Sequence, residues 1–502
     1  MDGSLVQNTH YGFLSLIPTV ITLAVAYFTK RVWLALFLGI FSGAAVYSFS
    51  WHGLVRFGEY IYISVTDIER LKIAFFVIMV AGLLEIISRT GANIKFGEYM
   101  GDLLKTRRKT RITAWFTGVL LFFDDYANLL ITGASLRPVT DKHKISPAML
   151  GYIADAVAII ASISFVSTWA AFEMSLLPEN AGQSRSALFL SSLPYHLYTY
   201  MSIGLAFLVA FTGKWFSYNL DNGSGIVVKK HAIYDEAKAR RRDIVIPIVV
   251  LIGSSFLGIL IWGWFATPAE ERGSLANILG NAPAITVLNL AVIIAFIVLI
   301  ITLRKDNVLS IREIRTSFTL RMRHMAGTAL IILLAKGLEL CASDLGTGKF
   351  ISGMIGSHLP PLFIPALMFL VAGLSTVVTG FSWSSMVLIM PIALQMAHES
   401  PVHASMIAAA SIGAVISGSV AGAQLVPYSD TSIMTSAACG LQPVYHVKTQ
   451  AIQIITAWVS AFSGFILFGF GLPWWLAVCI VFGVMSAVHW FFAGESVYPI
   501  KH

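Results

Sequence analysis

Two adjacent aspartates, Asp124 and Asp125, interrupt a stretch otherwise as apolar as Gly118-Val119-Leu120-Leu121-Phe122-Phe123. A charge at mid-bilayer costs ~2.5–3.5 kcal/mol even on a lenient insertion scale, so a neighbouring pair needs a chemical reason. Like charges forced together cannot both ionise freely, and such a carboxyl can exchange a proton for a hard cation. Asn128 and Thr132 follow Asp124 at i+4 and i+8, with Ser135 one turn on, which lays a stripe of oxygen ligands along one helix face. The plain alternative is a solvated turn at the membrane surface, which requires that 112–136 not penetrate.

Other polar groups stand in apolar surroundings. Asp155 lies inside the next apolar run, with Ser162 at i+7 on its face. A lone buried aspartate is either an ion ligand or a structural partner for a lysine or an amide. In the second half, Ser411, Val415 and Ser419 share a face ahead of Gln424, a pattern equally suited to helix packing. Pro427-Tyr428-Ser429-Asp430-Thr431-Ser432 interrupts a helix there. A proline frees a carbonyl, and freed carbonyls beside a carboxylate and hydroxyls suit sodium, although a cytoplasmic turn would look the same. Lys336 and Glu339 pair at i+3, and Glu85 occupies a similar place in an earlier run. These are candidates for coupling or for simple mutual neutralisation. His143 and His446 read as loop residues. Cys341, Cys439 and Cys479 read as small core residues, since an odd number without framework spacing argues against redox chemistry.

The elements that must carry these groups follow from composition. Of the 502 residues 57% are hydrophobic and only 12% charged, with a mean hydropathy of +0.77. A soluble domain carries about 25% charged residues, so a soluble enzyme, a disordered chain and a secreted disulfide scaffold are excluded. Runs long enough to cross ~30 Å of hydrocarbon recur at 12–28, 32–50, 71–88, 148–168, 198–212, 244–265, 284–303, 326–341, 405–426, 451–470 and 474–492. The first lacks a preceding basic segment and a cleavage site and reads as a retained span.

Charge gives the orientation. The net charge of +8 does not call for nucleic acid, because 20 of the 34 Lys and Arg lie in 89–111, 213–243 and 304–325. Basic loops of this kind face the cytoplasm. An even number of crossings must separate them, which is restored if 112–136 enters and leaves on one side. Each of its legs is about 12 residues, or ~18 Å of helix, enough to reach mid-bilayer only. The segments this puts outside are 51–70, 173–197, 266–283, 342–361 and 398–404, with five Lys or Arg in all.

A second stretch, 362–397, is cut by Gly380-Phe381-Ser382 in the same way. Three spans precede each hairpin and two follow it, with opposite starting sides, and Phe123 to Trp169 matches Phe381 to Pro427 in length. The expected fold is an all-α polytopic membrane protein of about 11 transmembrane helices and two re-entrant hairpins in an inverted repeat. Its parts would be a first repeat (1–212), a basic cytoplasmic linker (213–243), an inverted second repeat (244–470) and an extra C-terminal span (471–502).

Phe122-Phe123-Asp124-Asp125-Tyr126-Ala127-Asn128, continuing through Arg137-Pro138-Val139-Thr140-Asp141, resembles the NhaC family of sodium/proton antiporters. So do Ser167-Thr168-Trp169 with Phe172-Glu173, the Pro427–Thr431 segment, and His446-Val447-Lys448-Thr449-Gln450. The likeness spans roughly 75–455. It implies a fold of inverted repeats with hairpins, and an ion path lined by Asp124, Asp125, Asn128, Asp155, Thr168, Asp430 and Thr431. Sodium would sit at Asp125 and Asp155. The expected activity is exchange of Na⁺ for H⁺ across the inner cell membrane, with no cofactor, no nucleic-acid partner and a homodimer as a possible assembly.

Two rival functions keep the same residues in view. A sodium- or proton-coupled transporter of organic or amino acids would use half-helix N-termini, with Ser382, Ser384 and Ser385 facing the solute; the family resembled includes exchangers of carboxylic acids. An intramembrane enzyme would use the paired aspartates. No Gly-Asp pair of the kind an aspartyl protease needs accompanies Asp124, Asp125 and Asp155, and neither an HExxH nor a phosphate-binding GxxxxGK[ST] occurs.

Overall fold

The computed structural model describes residues 11–29, 31–92, 95, 99, 104–178, 184–217, 240–273, 275–347, 350, 360–400, 403–427 and 429–495. Most of the expected linker, at 218–239, and Tyr428 lie outside these.

Four helices open the chain: α1 (Ile17–Thr29), α2 (Val32–Tyr47), α3 (Trp51–Thr66) and α4 (Ile68–Thr90). The segment 51–70, expected on the outside, is largely helical. Ser50 caps α3 by accepting the His52 N–H, and Asp67 caps α4 by accepting that of Arg70.

The first hairpin follows. Thr106 caps α5 (Arg107–Leu120), the chain breaks at Leu121–Asp124, and α6 (Asp125–Lys142) returns. Arg107 Nε donates to the His143 carbonyl at 2.8 Å, and Asn128 Nδ2 donates to the Gly118 carbonyl at 2.6 Å. The start of α5 thus lies beside the end of α6, so the two legs fold back on one another as parity required.

Next come α7 (Pro147–Ala158), a 3₁₀ turn (Ile159–Ile163) and α8 (Thr168–Ser175). The run 148–168, expected as one span, is broken at Ser164–Ser167 and bent by 51°. Ser167 explains the restart: its hydroxyl accepts the Ala170 N–H as the new cap. A second bent pair consists of α9 (Arg185–Ser192), running on into a 3₁₀ turn (Leu193–Tyr195), and α10 (Leu197–Thr212). A short ribbon pairs Lys214–Trp215 with Gly494–Glu495.

The second half comprises α11 (Arg242–Ala266), α12 (Leu275–Asn281), α13 (Ala284–Lys305) and the 34-residue α14 (Ile311–Asp344). Much of the basic stretch 304–325 is thus the first turns of α14, started by a Ser310–Glu313 capping box, rather than a loop. The second hairpin is α15 (Ile364–Thr379) and α16 (Ser382–His398), turning at Gly380, whose φ of 76° is the left-handed conformation that favours glycine. Then α17 (Ala404–Gln424), a break, and α18 (Asp430–Cys439) repeat the hairpin-plus-broken-helix pattern, with Ser429 capping the restart as Ser167 does. Two long helices, α19 (Pro443–Gly469) and α20 (Trp474–Phe492), close the chain.

α15 and α17 run in parallel at backbone contact. A Cβ at Gly418 would fall 2.2 Å from the Phe369 carbonyl oxygen, and one at Gly422 would fall 2.4 Å from that of Gly373. The spacing Gly418-x-x-x-Gly422 is the small-residue device by which membrane helices approach closely.

Among the described residues seven helices are long and apolar enough to cross a membrane, or nine if each bent pair is one span. Gly12–Thr22 and Trp33–Tyr47, within the first two expected spans, are shorter apolar helices. The chain is an all-α, multi-pass membrane protein.

Candidate functional site

The first hairpin ends at the break of the neighbouring helix. Thr168 ties the two together: its N–H donates to the Phe123 carbonyl at 3.0 Å and its hydroxyl donates to Asp124 Oδ2 at 2.9 Å. The second hairpin reaches the same place from the other half. Trp383, at the start of α16, stacks on Phe172 of α8 at 4.0 Å between ring centroids and meets Trp169 edge-on at 6.0 Å. On the remaining side α18 packs against α6, where Gly133 lies close to Ala438 and Cys439.

A small cavity lies at this junction, lined in part by Asp125, Asp155, Trp169, Ser382, Gln424 and Thr431. The centre of a water-sized sphere has ≈ 10 Å³ to move in, room for about one water or one small ion. Asp125 begins α6, Trp169 and Thr431 are the second residues of α8 and α18, and Ser382 begins α16. Four helix N-termini therefore converge on one point, each favouring a nearby negative charge by ~0.3–2 kcal/mol.

The structure separates the acidic residues into two pairs. Asp125 and Asp155 face the cavity, and Asp125 Oδ1 has no hydrogen-bond partner among the described residues. Asp124 and Asp430 are pinned beside it. Asp124 is held by Thr168, while Asp430 accepts the Tyr126 hydroxyl through one oxygen and the Thr431 N–H at 2.9 Å through the other. Arg321 of α14 lies 5.7 Å from the Tyr126 ring centroid.

Asp155 is held by the opposite half. Gln450 Nε2 donates to its Oδ2 at 2.8 Å and to the Gln424 carbonyl at 2.9 Å, while the Thr435 hydroxyl approaches Oδ1 at 3.5 Å. Gln424 Nε2 donates to the Asp155 carbonyl at 2.7 Å, and its Oε1 accepts the Tyr198 hydroxyl. His446 is not a loop residue: it is fully buried on α19, its Nε2 3.5 Å from Asp155 Oδ2. His446 and Gln450 stand at i+4 and so share one helix face.

Other expected site residues lie elsewhere. Asn128 and Thr132 do not line the cavity: the Asn128 amide spans the hairpin legs and its oxygen accepts the Thr132 hydroxyl at 3.2 Å. Ser162 bonds the Ile159 carbonyl and the Thr199 hydroxyl instead of reaching Asp155. Lys336 and Glu339 pair at 2.9 Å, and the fully buried Arg70 joins them through Glu339 at 2.8 Å and the Ile332 carbonyl at 3.2 Å. Glu85 pairs with Arg89 on its own helix at 2.6 Å.

Isolated charges are very costly to bury, so two carboxylates at a one-ion cavity require either protons or a cation. The donor set of carboxylate, hydroxyl and amide oxygens is that of a hard cation. Among the described residues no group of three or more His, Cys, Asp or Glu could hold a tightly bound metal. Hairpins meeting broken helices around a buried polar point define a membrane transporter of the ion-coupled kind.

The comparisons with known proteins agree with this class. Residues 144–470, about two thirds of the chain, match the Na⁺/H⁺ antiporter family, and the chain belongs to that family. It is a transporter and not the intramembrane enzyme that paired aspartates could also suggest. A protein of Haemophilus influenzae described only as uncharacterized is 26% identical over 483 residues, 91% of each chain. Among solved structures the chain is similar to the YdaH transporter of Alcanivorax borkumensis, with a TM-score of 0.57 at 13% identity over 91% of this chain and 99% of that one. That likeness concerns the fold. MtrF of Neisseria gonorrhoeae, described as one of a class of antimetabolite efflux pumps, is more distant, with a TM-score of 0.46 and 14% identity over 82% and 84% of the two chains.

Proposed function

We propose that this antiporter exchanges Na⁺ for H⁺ across the inner cell membrane by competition at Asp125 and Asp155. The observation that carries the reading is the pairing of these two carboxylates, one from the tip of the first hairpin and one from α7, at a cavity of single-ion size. Sodium would take the free Asp125 oxygen, Asp155, and the oxygens of Thr431 and Ser382. Protons arriving on the carboxylates remove the charge that binds the ion, so both cargoes cannot be carried together. Asp124 and Asp430 act by holding the hairpin tip and the start of α18 in register with the cavity.

One observation favours a second reading. Four converging helix N-termini would also suit the carboxylate of an organic acid. Against it, two carboxylates already occupy that field and the cavity has room for about one water. A pH-gradient dequenching assay in everted vesicles separates the two. Dequenching on addition of Na⁺ supports exchange, whereas a response to organic or amino acids and none to Na⁺ overturns it.

A further inference from the structure

Glu173 takes no part in the site described above, and its surroundings are unusual. It lies on α8, one turn beyond Trp169, and is fully buried. Neither carboxyl oxygen has a hydrogen-bond partner among the described residues.

Among the described residues no ion pair or hydrogen bond reaches its carboxyl oxygens. On α4, Arg70 bonds Glu339 and the Ile332 carbonyl, Lys72 pairs with Glu69, and Arg89 pairs with Glu85. On α9, Arg185 Nε donates to the Leu177 carbonyl. The 3₁₀ turn Ile159–Ile163 carries no titratable side chain, and α16 has only His398, at its far end. An ionised carboxylate left bare in such a place would cost many kcal/mol, so the group is stable there only with its proton on.

Its position gives that proton a use. Trp169 lines the ion cavity, and Trp383 lies edge-on to Trp169 and flat on Phe172. Glu173, four residues after Trp169, shares the same face of α8 and so stands one turn from the ring that lines the cavity. On the orientation given by the basic segments, the far end of α8 is the outer end of the bent pair Pro147–Ser175. Glu173 therefore lies between the cavity-lining Trp169 and the outer end of α8.

We propose that Glu173 is a second proton-carrying site. It takes up H⁺ from external water when its side opens, holds it as a carboxylic acid through the closed state, and gives it up toward the interior when the site opens there, while Na⁺ moves the other way. The inference rests on the exchange reading above and adds one proton to each transport cycle.

The experiment compares native protein with Glu173→Gln and Glu173→Asp in vesicles of phosphatidylethanolamine and phosphatidylglycerol. Sodium flux and proton flux are measured together, and infrared spectra are recorded on the same purified samples. Expected results are a Glu173→Gln variant that still moves Na⁺ with one proton fewer per cycle, loss of a protonated-carboxyl carbonyl band, and recovery of the proton count in Glu173→Asp. An unchanged proton-to-sodium ratio in Glu173→Gln overturns the proposal. If Glu173→Gln does not fold, the carbonyl band decides: its displacement in Glu173→Asp supports a buried acid, and its persistence unchanged overturns one. Native vesicles that move no protons on addition of Na⁺ would overturn the exchange reading itself, while the infrared band would still decide whether Glu173 carries a proton.

Discussion

Thr168 joins the tip of the first hairpin to the broken helix with one side-chain bond, which makes it a sensitive place to perturb. Thr168→Val keeps the shape of the side chain and the N–H bond to Phe123, and removes only the hydroxyl that donates to Asp124 Oδ2 at 2.9 Å. Both partners are buried. A hydrogen bond to a charged group contributes ~1.5–3 kcal/mol, or about 10- to 100-fold in the equilibrium between docked and undocked hairpin tip. Asp125, the next residue, moves with that tip. The apparent affinity for Na⁺ should therefore weaken by up to that factor, measured as radiolabelled sodium bound to purified protein. Thr168→Ser, which restores the hydroxyl, should bind nearly as the native protein does. Native affinity in Thr168→Val, or equal weakening in both variants, would refute the reasoning.

Two further outcomes concern stability. Gly418→Ala places a Cβ 2.2 Å from a backbone oxygen on α15, an overpacking that should cost ~1–3 kcal/mol and lower the unfolding temperature in detergent. In the Arg70–Glu339–Lys336 group, Glu339→Gln leaves a fully buried guanidinium without its carboxylate partner. It should cost up to ~3–5 kcal/mol, whereas Arg70→Leu leaves a neutral Lys336–Glu339 pair and should cost less, as thermal unfolding of the two variants would show.

The sequence carried the membrane class, the first hairpin and the carboxylates because each departs from what hydrocarbon tolerates. Asp124-Asp125 in an apolar run is such a departure, and so is the parity conflict that 112–136 resolves. The break at Ser164–Ser167 is hidden because Phe165 and Val166 keep the run apolar; only the Ser167-Thr168 pair, a cap signal inside an apolar stretch, marks it. His446 and Gln450 were missed as partners of Asp155 because Gln442 to Gln450 is polar enough to read as a loop. Their i+4 spacing after Pro443 was the usable clue. Asn128 and Thr132 were placed on the correct helix but given a different task, since spacing along one helix cannot tell the face toward a cavity from the face toward the partner leg.

The most direct measurement is equilibrium binding of radiolabelled Na⁺ to the purified protein across a range of pH, in the native chain, Asp125→Asn and Asp155→Asn. Competition at these carboxylates predicts that lowering the pH weakens sodium affinity without reducing the number of sites, and that both variants lose binding. Sodium binding that ignores pH, or that persists undiminished in both variants, would contradict it.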